Sequence, residues 1–99
     1  MHRIRLGPPW TTSLGGAGTR HARKFGRPRT LDSGDRVWLV CDALPTPAKV
    51  AVNGQPLGTA TESRFEADIT ELLNPRNEVV IETATDAALG DVALEIRGD

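Results

Sequence analysis

The sequence predicts an all-β domain, a sandwich or barrel of short antiparallel strands with one short helical turn. Three observations carry this prediction. Apolar residues alternate with polar ones at a period of two over most of the chain, as in half-buried strands. The alternating segments are short and separated by Gly, Pro, Asn and Asp. Within KVAVNGQPLG (49–58), an Asn-Gly pair follows alternating valines, the strongest short-range signal for a tight hairpin. No segment carries the periodicity of a long amphipathic helix.

The elements follow in chain order. Ile4 and Leu6 alternate with Arg3 and Arg5, which predicts a first strand. Gly7–Asp35 is ambiguous, with GPPW, SLGGAG and the basic RHARKFGRPR; residues 7–19 are read as a mobile loop, and a strand is expected near Arg20–Phe25, at a sheet edge where its charges deter pairing with other molecules. RVWLVCD (36–42) is apolar on both faces and suits a central strand. Val50 and Val52 share one side of the next strand, and Phe65, Ala67 and Ile69 share one side of another. Asp68, with Glu71 three positions on and Leu72 and Leu73 beyond, fits a capping-box start to one helical turn that Pro75 ends; its leucines would plug an end of the core. Val79, Ile81 and Thr83 mark one inward face, and Val92, Leu94 and Ile96 another, with Asp91, Ala93, Glu95 and Arg97 outward.

Ninety-nine residues make one domain, 1–99, with one core. No internal repeat is present. Cys41 is the single cysteine, so no internal disulfide forms, and its setting in RVWLVCD reads as buried and unreactive. No apolar run reaches the length of a signal peptide or the ~18 residues of a membrane span, so the expected location is cytoplasmic. The net charge of −1 conceals a division. Residues 1–36 carry eight basic residues against Asp32 and Asp35, a net of +6, and the remainder carries −7. Such asymmetry suits either a polyanion-binding arm or two halves attracting each other across a sandwich.

Read in order, HARKFGRP, LDSGDRVWLVCDAL, AKVAVNGQPLG, FEADITELL and NEVVIE form a specific series. It resembles the N-terminal jelly-roll domain of family-two glycoside hydrolases, the β-galactosidases and β-glucuronidases, a member of the galactose-binding-like sandwiches. The matching residues are Phe25, Gly34, Asp42, Asn53, Gly54, Gly58, Phe65, Asp68, Ile69, Thr70, Leu73 and Asn77. The resemblance covers about two-thirds of the chain and implies a jelly-roll-like sandwich. The tyrosine usual beside the basic pair is missing, and Pro75-Arg76 precedes Asn77 where the family often has Gly. In the family both catalytic glutamates lie in a separate barrel domain with no counterpart here, so the resemblance implies a lineage rather than an enzyme.

The ligand candidates are Trp10, Asn53 and Gln55. Trp10 follows Gly-Pro-Pro outside any obvious strand and offers either a stacking face for a sugar ring or a core plug. Asn53 and Gln55 either bond sugar hydroxyls at a loop end or simply form a turn that tolerates positive φ. Trp38, Phe25 and Phe65 read as interior. Arg20, Arg23, Lys24, Arg27 and Arg29 either bind a polyanion or line a charged edge paired with the acidic half. Only Phe25 accompanies them, so nucleic acid is not expected. His2 and His21 have no partners at metal-ligand spacing. Asp32, Asp35 and Asp42 could join a structural Ca²⁺ site that nothing in their spacing demands. No phosphate-cradling loop, nucleophile elbow or Ser/His/Asp arrangement is present, and no cofactor or metal is expected. The leading expectation is a non-catalytic carbohydrate-binding-like module. The alternative is a structural or protein-interaction module that seats a protein partner or a second copy, and the third reading is polyanion binding through residues 20–29.

Overall fold

The computed structural model describes residues 2–15, 18–29, 31–85 and 87–98. Among these, the strands are β1 (His2–Arg5), β2 (Thr11–Gly15), β3 (Gly18–Gly26), β4 (Arg36–Cys41), β5 (Ala48–Val52), β6 (Gln55–Ala60), β7 (Phe65–Asp68), β8 (Arg76–Thr83) and β9 (Val92–Arg97), with one 3-10 turn at Thr70–Leu72. They form a four-stranded sheet, β1-β9-β4-β7, and a five-stranded sheet, β2-β3-β8-β5-β6. Every pairing is antiparallel. The chain is therefore an all-β antiparallel sandwich, as its alternation predicts.

Side-chain parity builds the core. Val37, Leu39 and Cys41 of β4 share a face with Val92 and Leu94 of β9, and Val50, Val52, Val79 and Ile81 fill the facing sheet; all are buried. β4 lies between β9 and β7, the central place its double-sided hydrophobicity predicts. Between β5 and β6 the turn is the two-residue Asn53-Gly54, both at positive φ (53° and 79°), and the ladder shifts register between Val50 and Ala51. This is the primed-turn geometry that matches strand twist.

Four expectations are corrected. β3 is not an edge strand: β2, a strand at Thr11–Gly15 where a loop is expected, covers it on one side and β8 on the other. Thr11, Thr12 and Ser13 are weakly patterned because β2 is exposed along its length, which hides it from a hydrophobicity reading. The turn after β7 is a single 3-10 round without a capping box. Asp68 Oδ1 accepts from the Thr70 amide (3.0 Å) and hydroxyl (2.7 Å), while Glu71 Oε1 accepts from Arg36 at 2.8 Å. Leu72 and Leu73 do pack against the core.

The outer face of β9 is the third correction. Ala93 and Glu95 point outward by alternation yet are buried, Glu95 with only 6% of its surface exposed. Arginine side chains roof this face: Glu95 accepts from Arg3 and Arg97, both at 2.8 Å. Lastly, Trp38 faces this outer layer rather than the interior, opposite Glu95, with the Arg97 guanidinium 4.6 Å from its ring centroid.

Candidate functional site

The crossover from β1 to β2 leaves a cleft of about 320 Å³ beside the edges of both sheets. Its walls are Arg5, Leu6, Gly7, Pro8 and Trp10 from the crossover, Thr12 of β2, His21 of β3, and the Ala88–Val92 segment leading into β9. That volume reaches the lower end of the usual ligand-cleft range, roughly 300–1,000 Å³. Trp10 is half-buried, packs against the core and donates Nε1–H to the Leu6 carbonyl at 3.1 Å. It thus both plugs the core and borders the cleft, combining the two readings of the sequence.

His21 was singled out in the sequence only as a non-ligand for metals, yet it is the buried polar residue of this cleft. Its place on the same strand face as Thr19 and Phe25 is the signal that could have revealed it. The Nε2 atom lies 3.3 Å from Thr83 Oγ1, and burial pushes the imidazole pKa below its ordinary value. Arg5 and Asp91, the charged residues of the wall, pair with each other at 3.3 Å. Gly90 is held against the end of β4, where an added Cβ would come 2.0 Å from the Asp42 carbonyl oxygen.

Asn53 and Gln55 do not join Trp10. β3 and β8 separate β2 from β5, and at ~4.8 Å per strand the turn lies about 14 Å away from the cleft edge. The Asn53 side chain is committed within the fold: Nδ2 donates to Leu72 O and Asn77 Oδ1, and Oδ1 accepts from the Glu78 amide, each at 2.9 Å. Gln55 is exposed at the start of β6.

The basic run also divides. Arg20, Ala22 and Lys24 share the outer face of β3, with Arg20 3.9 Å from Glu78. Arg23 has the opposite parity and donates Nε–H to the Gly7 carbonyl at 2.7 Å, tying β3 to the crossover. Arg27 and Arg29 are exposed beyond the strand. Asp35 and Asp42 flank opposite ends of six-residue β4, about 23 Å apart at ~3.3 Å per residue, too far to share an ion. Asp42 instead pairs with Arg64 at 2.6 Å.

Carboxylates elsewhere are pinned in their charged form. Hydrogen bonds from Arg97 and Arg64 lower the pKa of Glu66, and Arg97, with Arg3 contributing less, lowers that of Glu95 against the opposing effect of burial. Burial acts to raise Asp68, but bonds from Thr70 and Arg36 more than offset it. The Cys41 thiol is pushed up to about 12 by burial and by neighbouring Asp42. A general acid needs a raised carboxyl and a thiol nucleophile a lowered one, so these shifts run against both roles.

Two antiparallel sheets in this strand order, with a cleft at the β1–β2 crossover, define a β-sandwich domain. The family model described as the glycosyl hydrolase 2 galactose-binding domain-like family matches residues 18–93, and the chain belongs to that family. Among solved structures it is similar to an FMN-binding β-glucuronidase from Facaelibacterium prausnitzii L2-6, with TM-score 0.76 and 24% identity over 94% of this chain and 22% of that one. A β-glucuronidase from Bifidobacterium dentium complexed with coumarin-3-O-glucuronide gives 0.72 and 21%, over 81% of this chain and 20% of that one. A β-glycosidase from Bacteroides vulgatus gives 0.65 and 17%, over 81% and 12%. The chain thus spans about a fifth or less of the length of each. No curated protein matches it.

Proposed function

We propose that this domain is a non-catalytic recognition module of the glycoside hydrolase 2 lineage that binds a saccharide at the Trp10 cleft. One observation carries the reading: a half-buried indole borders a cleft of about 320 Å³ that also holds Thr12 and His21, an apolar face beside hydroxyl and imidazole groups. Sugars are recognised by that combination of a stacking face and a few fixed polar groups. The non-catalytic part of the reading is supported by the lowered carboxyls of Glu66, Asp68 and Glu95 and the raised Cys41 thiol. His21 and Thr83 are not a base and its nucleophile either, because the Thr83 hydroxyl donates away from the imidazole, to Thr85 O at 2.7 Å.

The test is an amide and indole NMR titration of labelled protein with neutral and acidic monosaccharides at moderate salt. The reading expects shifts at Trp10, Thr12 and His21, and loss of those shifts in Trp10→Ala. Shifts confined to Asn53–Gly58 would move the site to the hairpin, and shifts at Arg20 and Lys24 that vanish with salt would favour polyanion binding. A flat response would leave the second reading, a packing module for a protein partner. That reading is favoured by the bond that ties the Trp10 indole to Leu6.

A further inference from the structure

The hydrogen bonds around His21 fix where its proton sits. Thr83 Oγ1 carries one hydrogen and donates it to Thr85 O at 2.7 Å. The same oxygen lies 3.3 Å from His21 Nε2, so it can only accept there, and Nε2 is the nitrogen that bears hydrogen. Burial keeps the ring neutral. In a neutral imidazole with a protonated Nε2, Nδ1 is a bare acceptor. Nδ1 has no partner among the described residues, and none of their fully buried side-chain nitrogen or oxygen atoms lacks one. Nδ1 is therefore reachable by solvent, and the opening beside His21 is the Trp10 cleft.

We infer that His21 Nδ1 is the group that reads the cleft's ligand, accepting a hydrogen bond from a hydroxyl of an uncharged saccharide whose ring lies against Trp10. This rests on the reading of the cleft given above and names its ligand class. With the sugar's 6-position toward His21, a neutral hexose presents a hydroxyl that can donate to Nδ1, whereas a uronate presents there an ionised carboxylate with no hydrogen to give. Among the described residues, the guanidinium on the wall, that of Arg5, is paired with Asp91 at 3.3 Å. The groups packed around the ring from other strands, Thr12 on β2 and Ile81 and Thr83 on β8, do not ionise. Acid should therefore act on the ligand contact through the imidazole itself: a proton on Nδ1 turns the acceptor into a donor, so a hydroxyl must reverse its bond to accept, while a uronate carboxylate gains a partner.

The experiment has two independent readouts. In free protein, ¹⁵N-detected imidazole spectra at pH 7.5 should show His21 as the Nε2–H tautomer; the Nδ1–H tautomer would overturn the inference without touching the cleft reading. Titrations with galactose, glucose and glucuronate at equal ionic strength should then move the Nδ1 resonance with the neutral sugars, with glucuronate binding about tenfold more weakly, the worth of one hydrogen bond. The preference for neutral sugars over glucuronate should shrink as the pH falls through the folded His21 value, which burial places below the ordinary imidazole range, and His21→Gln should flatten that pH dependence. Glucuronate binding as tightly as the neutral sugars, or sugar binding at Trp10 with Nδ1 unmoved, would overturn the assignment of His21 alone. No sugar response at Trp10 would overturn the cleft reading and this one with it.

Discussion

Asn53 and Asn77 meet amide to amide, Nδ2 of the first donating to Oδ1 of the second at 2.9 Å, and this bond ties the β5–β6 hairpin to the start of β8. Asn77 is buried and takes part in three further bonds: Oδ1 accepts from the Asn74 amide (2.8 Å), and Nδ2 donates to Asn74 O (2.9 Å) and Phe25 O (3.4 Å). One side chain thus fastens β3, the Asn74 turn and the hairpin together. The Asn53 side chain, a candidate ligand contact in the sequence, is bonded within this joint.

Asn77→Ala should therefore lower stability by about 2–3 kcal/mol in urea unfolding, since it leaves buried backbone groups unpaired. Asn53→Gly keeps the positive φ and loses the bonds, which should cost about 1–2 kcal/mol. Asn53→Ala should cost roughly 1 kcal/mol more, because alanine resists a φ of 53°. Sugar shifts at Trp10 should survive Asn53→Gly. Equal stability of the two Asn53 variants would show that the backbone does not hold the left-handed conformation.

Gly90→Ala should damage both fold and cleft. The added methyl would sit 2.0 Å from the Asp42 carbonyl oxygen and 2.7 Å from the Ala43 Cβ, so the backbone must move. The same segment is tied to β4 by the bond from the Asp42 amide to Asp91 O at 2.8 Å. Overpacking of this kind costs roughly 1–3 kcal/mol, and amide shifts should spread from Asp42 through Val92. A Gly90→Ala protein with unchanged stability and spectra would mean that the Ala88–Asp91 segment stands off from β4.

The fold was far more legible in the sequence than the site. Val50, Val52, Val79 and Ile81 keep a strict period of two because one of their faces is dry, and each is buried as that period requires. β2 escaped notice because it is exposed along its length, Leu14 with 93% of its surface in solvent, so burial left no imprint on its composition. Glu95 and Trp38 broke the inside-outside rule for another reason: arginines from β1 and β9 cover the outer face, which no local pattern reports. The cleft joins Arg5, Trp10, Thr12, His21 and Asp91 from distant parts of the chain. Only the pairings of β1 with β9 and of β2 with β3 bring them together.

Acid should lower the domain's stability in two steps. His21 has a folded pKa below its ordinary value of about 6.5, so the unfolded chain binds its proton first. The stability it contributes is complete above pH ~6.5 and is lost as the pH falls from there through the folded value. Glu66, Asp68 and Glu95 are also lowered, from an ordinary range near 4, and their contribution disappears at more acid pH, as each folded value is crossed. Urea midpoints measured from pH 8 to pH 3 should show both declines, and His21→Gln should remove the first and keep the second. A wild-type curve flat between pH 7 and pH 5 would place His21 in a solvated site.

Cys41 should be inert in the folded protein. Its side chain is fully buried in the core between the sheets, and its thiol is pushed up to about 12. At pH 7 that leaves roughly one thiolate in 10⁵, against a few per cent for an ordinary thiol, and the reagent has no path to it. Iodoacetamide or a chromogenic disulfide should therefore label the chain only as urea unfolds it, with the midpoint of labelling matching that of the circular dichroism transition. Cys41→Ala should cost about 1 kcal/mol for the small void it leaves, while Cys41→Ser should cost more, because the hydroxyl enters an apolar setting. Rapid labelling at native pH without denaturant would show that β4 opens locally between its neighbours β9 and β7, which would make the central strand a mobile element rather than the anchor of the four-stranded sheet.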